Sequence, residues 1–276
     1  MIFLGSLKHD HPAHFSVEEH EHAMRIELLP SSIPVTDSQF LVTFLVNQEI
    51  AIDGGSIGLL ADLHRQERIK HVFITHEHLD HIATLPLFLE NIYQPGPDCV
   101  EVLATADVLK FLHNDIFNGR VWPDFFQLSQ PEDGFMNTAV LEPMQPVQRA
   151  GLTITPVVVA HGVETLGLVV DDGVSAVAFP SDTAPTKQIW EYLSSLKHLR
   201  AVFLEASFPA SHAALAAATG HLCTTTFATE IKKLSADVRW IVVHRKARYA
   251  EQIASEIAAF GLTNVEFVQP GFAYEF

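Results

Sequence analysis

Cysteine is scarce in this chain: two residues, Cys99 and Cys223, in 276. Two thiols build no disulfide framework, and neither has the spacing of a cysteine-based zinc site. That points to a reducing compartment, the cytoplasm. Long apolar runs are missing too. No stretch approaches the roughly 20 residues that a membrane-spanning helix requires. The N-terminus, MIFLGSLKHD, carries no basic n-region, so a signal peptide is not expected. Positive charge is in short supply: 17 Lys and Arg against 33 Asp and Glu leave a formal charge of −16. Such a field repels polyanions and anionic membranes, which disfavours nucleic acid as a partner. No internal period of roughly 20–50 residues is visible, which excludes a repeat array. Apolar residues make up 48%, enough for a sizeable core, and length alone allows one large domain or two small ones.

Histidine, by contrast, is abundant, with sixteen residues. The stretch from His71 to His81, HVFITHEHLDH, organises the rest. Val72-Phe73-Ile74 reads as a buried strand, and His76, His78, Asp80 and His81 fall just past its end. Three imidazoles and a carboxylate are costly to crowd together unless a divalent cation unites them. The five histidines at 9, 11, 14, 20 and 22 match neither a helix face nor a strand face. They read as a solvated loop leading into a strand near Met24–Leu29.

Phe40–Ile52 reads as a strand pair closing on Asp53-Gly54-Gly55, with the glycines supplying positive φ. Ile57–Ile69 and Ile82–Tyr93 read as helices, Val100–Ala104 as a strand and Asp107–Phe117 as a helix. Gly119–Ala150 looks irregular, either a wall of the functional pocket or a structural excursion. Beyond it a pattern repeats: an apolar run closes on a polar residue. TITPVVVA ends on His161, VSAVAF is followed by Pro180-Ser181-Asp182, AVFL ends on Glu205 and RWIVV ends on His244. Helices are expected between them at Lys187–Leu196, Ser211–Ala218, Thr225–Leu234 and Ala247–Phe260. Strands buried on both faces read as continuous apolar runs, and functional groups collect where loops leave such a scaffold.

The metal-ligand candidates are therefore His76, His78, Asp80, His81, His161, Asp182 and His244. Seven donors exceed what one ion takes and suit two divalent ions per chain, zinc first, with manganese or iron also compatible. Two such ions share a deprotonated water, which suits phosphoester hydrolysis.

THEHLDH, with Asp53 in IDGG before it and His161, Asp182 and His244 after it, resembles the metallo-β-lactamase superfamily over nearly the whole chain. HLDH, SDTAPT, LEASF and GHL are similar to the class II cyclic-nucleotide phosphodiesterases, and RNase Z shares much of the pattern. The resemblance implies a single α/β domain over 1–276, an αββα sandwich with a dinuclear site at one edge of its two sheets. It implies one metal on His76, His78, His161 and Asp182. The other would sit on Asp80, His81 and His244, with Asp182 shared. It also implies catalytic roles for Asp80, for His221 in the Gly-His turn and for Glu205, which would orient His221; Asp53 would stand behind the ligands. This chain departs from the pattern at Ala83-Thr84-Leu85-Pro86, after His244, and at the N-terminal histidines.

The expected activity is hydrolysis of 3′,5′-cyclic nucleotides to 5′-nucleotides, with a small cyclic phosphodiester as substrate. The alternatives are an RNase Z-type nuclease, which usually carries a basic arm not found here, and a non-catalytic metal-binding scaffold, which needs neither His221 nor Glu205. A homodimer is left open. Arg245, Lys246 and Arg248 are candidates to meet a phosphate or to form a solvated face. Cys223 reads as a small buried side chain.

Overall fold

The computed structural model describes residues 23–276 apart from 33, 95, 97, 130–132 and 236. The N-terminal histidine run lies outside the described residues. The first of two seven-stranded sheets holds β1 (Arg25–Leu28), β2 (Phe44–Val46), β3 (Ile50–Ile52), β4 (His71–Phe73), β5 (Val100–Ala104) and β6 (Met136–Val140) in chain order. The second holds β7 (Val147–Arg149), β8 (Leu152–Val158), β9 (Leu166–Asp171), β10 (Ala176–Phe179), β11 (Leu199–Glu205), β12 (Arg239–Val243) and β13 (Val265–Phe267). The last strand, β14 (Ala273–Glu275), returns to the first sheet beside β1.

The unbroken apolar runs follow from burial on both faces. In β11, Ala201 and Phe203 enter the core between the sheets, while Val202 and Leu204 enter a second core under helices. In β4 and β5, Phe73 and Leu103 face the other sheet, and Val72 and Val102 face outward. Phe44, Phe179 and Phe203 meet between the sheets with ring centroids 5.0–5.3 Å apart. Fully burying one such side chain contributes about 1.5–3 kcal/mol. Over the first sheet lie α1 (Leu63–Arg68), α2 (Leu79–Ile82), α3 (Leu85–Asn91), α4 (Ala106–Phe111) and α5 (Phe125–Leu128), with Phe88, Val108 and Phe125 buried. Along the second sheet follow α6 (Gln188–Ser194), α7 (Ala213–Ala218), α8 (Thr224–Glu230) and α9 (Ala250–Ala259); Trp190, Phe227 and Ile253 fill the core beneath α6, α8 and α9. The result is the expected four-layer αββα sandwich. Among the described residues, no helix is long and apolar enough to cross a membrane.

Topology explains why polar residues close the apolar runs. β3 and β4 run parallel, as do β10, β11 and β12, and β8 shares their direction through two antiparallel steps across β9. Their C-terminal ends deliver Asp53, His76, His161, Asp182, Glu205 and His244 toward one edge.

Several local expectations are corrected. The Ile57–Ile69 helix is broken: a 3-10 turn covers Ile57–Leu59, and Asp62 restarts the chain as α1 by accepting from His64 N at 3.0 Å. An N-cap carboxylate inside a helical pattern competes with continuation. The helix expected at Ile82 begins earlier, inside the cluster, because α2 carries Asp80 and His81; Pro86 then opens α3, where its missing N–H costs nothing. Gly119–Ala150 is not an irregular wall. It supplies α5 and one edge strand to each sheet, and Phe125 stacks on Phe117 and Phe135. Three further strands, β9, β13 and β14, went unforeseen: LGLVV closes on Asp171-Asp172 like its neighbours but runs antiparallel to β8 and β10, so its polar end lies away from the site, and the other two span three residues each.

The IDGG turn differs in an informative way. Positive φ belongs to Asp53 (63°), and neither Gly54 nor Gly55 takes it. Gly55 is required by space: a Cβ there would lie 2.0 Å from the Asp80 carbonyl oxygen and 2.7 Å from Val42 N and O. Those neighbours are backbone and are joined by the Val42 N to Asp80 O bond (2.8 Å). Gly55→Ala is expected to destabilise the fold by about 1–3 kcal/mol, the scale of overpacking, and to displace Asp80. An unchanged thermal midpoint would contradict that.

Candidate metal centre

Asp53 is the hub on the first sheet. Its Oδ1 accepts from Thr75 N (2.8 Å) and Thr75 Oγ1 (2.9 Å), and its Oδ2 accepts from His81 Nδ1 (2.7 Å). The Thr75 hydroxyl has then spent its proton, so its lone pairs receive His76 Nδ1 (3.0 Å) and Ser181 Oγ (2.9 Å). On the second sheet, His161 Nδ1 donates to the Gly220 carbonyl (2.8 Å). Ser207 gives its proton to Glu205 Oε2 (2.5 Å) and faces His244 Nδ1 at 3.0 Å. In each of these four rings the outer nitrogen is a committed donor. The inner Nε2 is left with a lone pair, which is the tautomer a metal ligand needs.

Three of the inner nitrogens have no adequate protein partner, while the fourth, His244 Nε2, faces Asp80 Oδ2 at 3.1 Å, a fellow member of the second ligand set. His78 Nδ1 faces His76 Nε2 at 3.1 Å and His161 Nε2 at 3.2 Å, so three ring nitrogens converge on one point. His81 Nε2 is fully buried and makes no hydrogen bond; Asp182 Oδ2 lies 3.4 Å away, out of hydrogen-bonding alignment. A buried orphan nitrogen is costly, and convergent lone pairs repel unless a cation sits among them. The donor chemistry therefore fits divalent metal.

Ligand-type atoms of His76, His78, His161 and Asp182 lie within 4.8 Å of one another, and so do those of Asp80, His81, Asp182 and His244. Asp182 belongs to both sets. All seven candidates from the sequence are brought together. A third cluster, Glu205, His221 and His244, meets the same distance, but Glu205 is already saturated. Its oxygens accept from Thr183 N (2.7 Å), His221 Nδ1 (2.9 Å), Ser207 Oγ and Leu222 N (3.2 Å).

A family model described as a beta-lactamase superfamily domain matches residues 57–244. The chain belongs to that superfamily. A probable 3′,5′-cyclic-nucleotide phosphodiesterase of Yersinia pestis is 26% identical over 186 residues, covering 61% of this chain and 52% of that one. The chain spans about half the length of the curated relatives it matches. Among solved structures, unliganded yeast PDE1 aligns with a TM-score of 0.75 at 17% identity, covering 92% of this chain and 100% of that one. The short form of human tRNase Z aligns at 0.64 and 15% identity, covering 91% and 99%. At these identities both structural likenesses are of fold.

Electrostatics favour ligation at most of these residues, His81 excepted: burial would lower it, but the Asp182 and Asp53 carboxylates outweigh burial and raise it well above its usual range. Burial pushes the His76 imidazole well below its usual range, helped by neighbouring His81, and burial likewise lowers His161. Both are held neutral, the ligating form. Burial alone would raise the Asp182 carboxyl, but His244 and His81 outweigh it and hold it far below the carboxylate range. Burial also works to raise Asp80, and the His244 hydrogen bond and the His81 charge overcome it. His221 moves the other way: burial lowers it, yet the hydrogen bond to Glu205 prevails and raises it.

Backbone strain gathers here as well. Asp53 (φ 63°), Ser181 (59°) and His244 (55°) are left-handed non-glycine residues, each costing about 1–3 kcal/mol and each turning a strand end into the site. Thr75, Ser181 and Ser207 went unnoticed in the sequence although they stand inside the recognised motifs, because a hydroxyl's role depends on which acceptor claims its proton. Gln39 had no signal at all: its Oε1 accepts from His244 N at 2.9 Å across 205 residues. The other described histidines pair elsewhere: His64 with Glu67, His71 with Glu101, His113 with Asp124 and His198 with Asp171, while His212 packs on Tyr249. Cys223 is buried as the N-cap of α8.

Proposed function

We propose that this superfamily member is a binuclear metal-dependent phosphodiesterase acting on 3′,5′-cyclic nucleotides to give 5′-nucleotides. The observation that carries the reading is the pair of ligand sets joined through Asp182, with the His221–Glu205 pair beside them. The name of the Yersinia pestis relative supports the substrate class. His76, His78, His161 and Asp182 would hold one ion, and Asp80, His81, His244 and Asp182 the other. Bound metals supply Lewis acidity toward phosphoryl oxygens and lower the pKa of the attacking water. Asp80 would orient the attacking water for in-line approach to phosphorus. His221 donates Nδ1–H to Glu205, so protonation at Nε2 gives it a proton to pass to the departing 3′ oxygen as the P–O3′ bond breaks. Glu205 is the orienting group, not a ligand. The substrate carries a single negative charge, which two cations attract against the −16 field.

The test is metal analysis with a parallel assay on cyclic AMP, cyclic GMP, bis(p-nitrophenyl) phosphate and a pre-tRNA. Turnover of a cyclic nucleotide with two metals bound is expected. Cleavage of pre-tRNA without cyclic-nucleotide turnover would move the chain to the nuclease branch, which its fold likeness to human tRNase Z keeps in the assay. Two bound metals with no turnover of any substrate would favour the scaffold reading.

A further inference from the structure

Three cations follow His244, and they go three different ways. The Arg245 guanidinium packs over the Phe267 ring at 4.6 Å from its centroid, half-buried on β13. Arg248 is exposed. Lys246 turns to the site: its Nζ lies 3.6 Å from Asp80 Oδ2. Its backbone is tied to the same network, with Lys246 N donating to Ser207 O at 3.3 Å and Lys246 O accepting from Tyr249 N at 2.8 Å.

We infer that Lys246 is a positioning residue that grips a non-bridging phosphate oxygen of the substrate at the mouth of the metal centre. The inference rests on the phosphodiesterase reading above and names the residue through which an anionic substrate is selected. Asp80 does not use up this ammonium. At 3.6 Å the contact is an ion pair beyond hydrogen-bond length, and His244 Nε2 lies nearer to Asp80 Oδ2, at 3.1 Å. Among the described residues the ammonium makes no hydrogen bond, so its three donors face solvent and the site. The side chain is 38% exposed, open enough for a ligand to reach. A chain of charge −16 places few cations anywhere, and this one stands where the substrate's own charge must sit.

A non-bridging oxygen is anionic in the bound substrate and in the transition state alike, so the contact adds uniform binding, which appears in KM more than in kcat. The experiment compares Lys246→Met and Lys246→Arg with the parent, all metal-loaded and checked for metal content. It measures kcat and KM on bis(p-nitrophenyl) phosphate and the affinity for inorganic phosphate by calorimetry. Lys246→Met is expected to raise KM and weaken phosphate binding by about 10–100-fold, the scale of one charge-assisted hydrogen bond. Lys246→Arg should restore most of both, and metal content should stay at the parental level in each variant. Unchanged phosphate affinity in Lys246→Met overturns the inference, and so does a loss of metal, which would make Lys246 a structural partner of Asp80. If the parent hydrolyses no phosphodiester, the phosphodiesterase reading fails by itself, while phosphate calorimetry still decides the lysine.

Discussion

Asp182→Ala is expected to strip metal from both halves of the site at once and to bring hydrolysis to background. The carboxylate stands between the two sets. Its Oδ2 is 3.7 Å from His76 Nε2 and 3.4 Å from His81 Nε2, and its Oδ1 is 3.4 Å from His244 Nδ1. An imidazole serves one ion, but a carboxylate can serve two, so Asp182 is the one candidate whose loss affects both. Each affinity should fall beyond the roughly 10–100-fold that follows loss of a hydrogen bond behind a ligand. His244→Ala should chiefly weaken a single ion. Because Asp182 is buried among imidazoles, its removal also takes away one of the two carboxylates that face His81, Asp53 being the other, and breaking a buried pair costs about 3–5 kcal/mol. Asp182→Asn, which keeps the volume, separates the two effects: it should fold and still bind poorly. Elemental analysis decides. A variant that retains two tightly held metals, or loses one and keeps the other at parental affinity, would rule out sharing.

Most of the site was legible because its residues are the ends of apolar runs. A strand covered on both faces admits no polar side chain until it leaves the sheet, so His161, Asp182, Glu205 and His244 stood out as interruptions. The ligand pairing was not legible from spacing alone. His76 and His161 meet because β4 and β8 belong to facing sheets, and that register is set by the Phe44–Phe179–Phe203 core. The supporting hydroxyls were hidden for another reason. Thr75 and Ser207 matter through proton direction, and that depends on Asp53 and Glu205 arriving from 22 residues back and two residues back respectively. The 119–150 stretch misled because its prolines and acids read as loop, whereas edge strands tolerate such residues at their flanks. Gly54 and Gly55 misled in the opposite sense: glycine suggested a left-handed turn, but the strained residue is Asp53, and Gly55 only makes room for Asp80.

His221→Ala is expected to leave both metals in place and to slow cyclic-nucleotide hydrolysis by roughly 10²–10⁴-fold, the contribution of a positioned general acid. His221 lies outside both ligand sets, and the cluster it does join is closed by the saturated Glu205. Glu205 itself is a poorer target, since replacing it also strands the Thr183 and Leu222 amides and frees Ser207 beside His244. The leaving group makes the test specific. A ribose 3′ oxygen departs as a strongly basic alkoxide unless it is protonated, whereas p-nitrophenolate leaves without help. The variant should therefore lose far more activity on cyclic AMP than on bis(p-nitrophenyl) phosphate. The pH profile gives a second reading. Glu205 raises the His221 pKa above that of an ordinary imidazole, so the acid form persists to higher pH and fades as pH rises through the raised value. Parental activity on cyclic AMP should decline on that alkaline limb, and His221→Ala should lack it. Equal losses on both substrates, or a departed metal, would mean that His221 holds the site together and does not protonate the leaving oxygen.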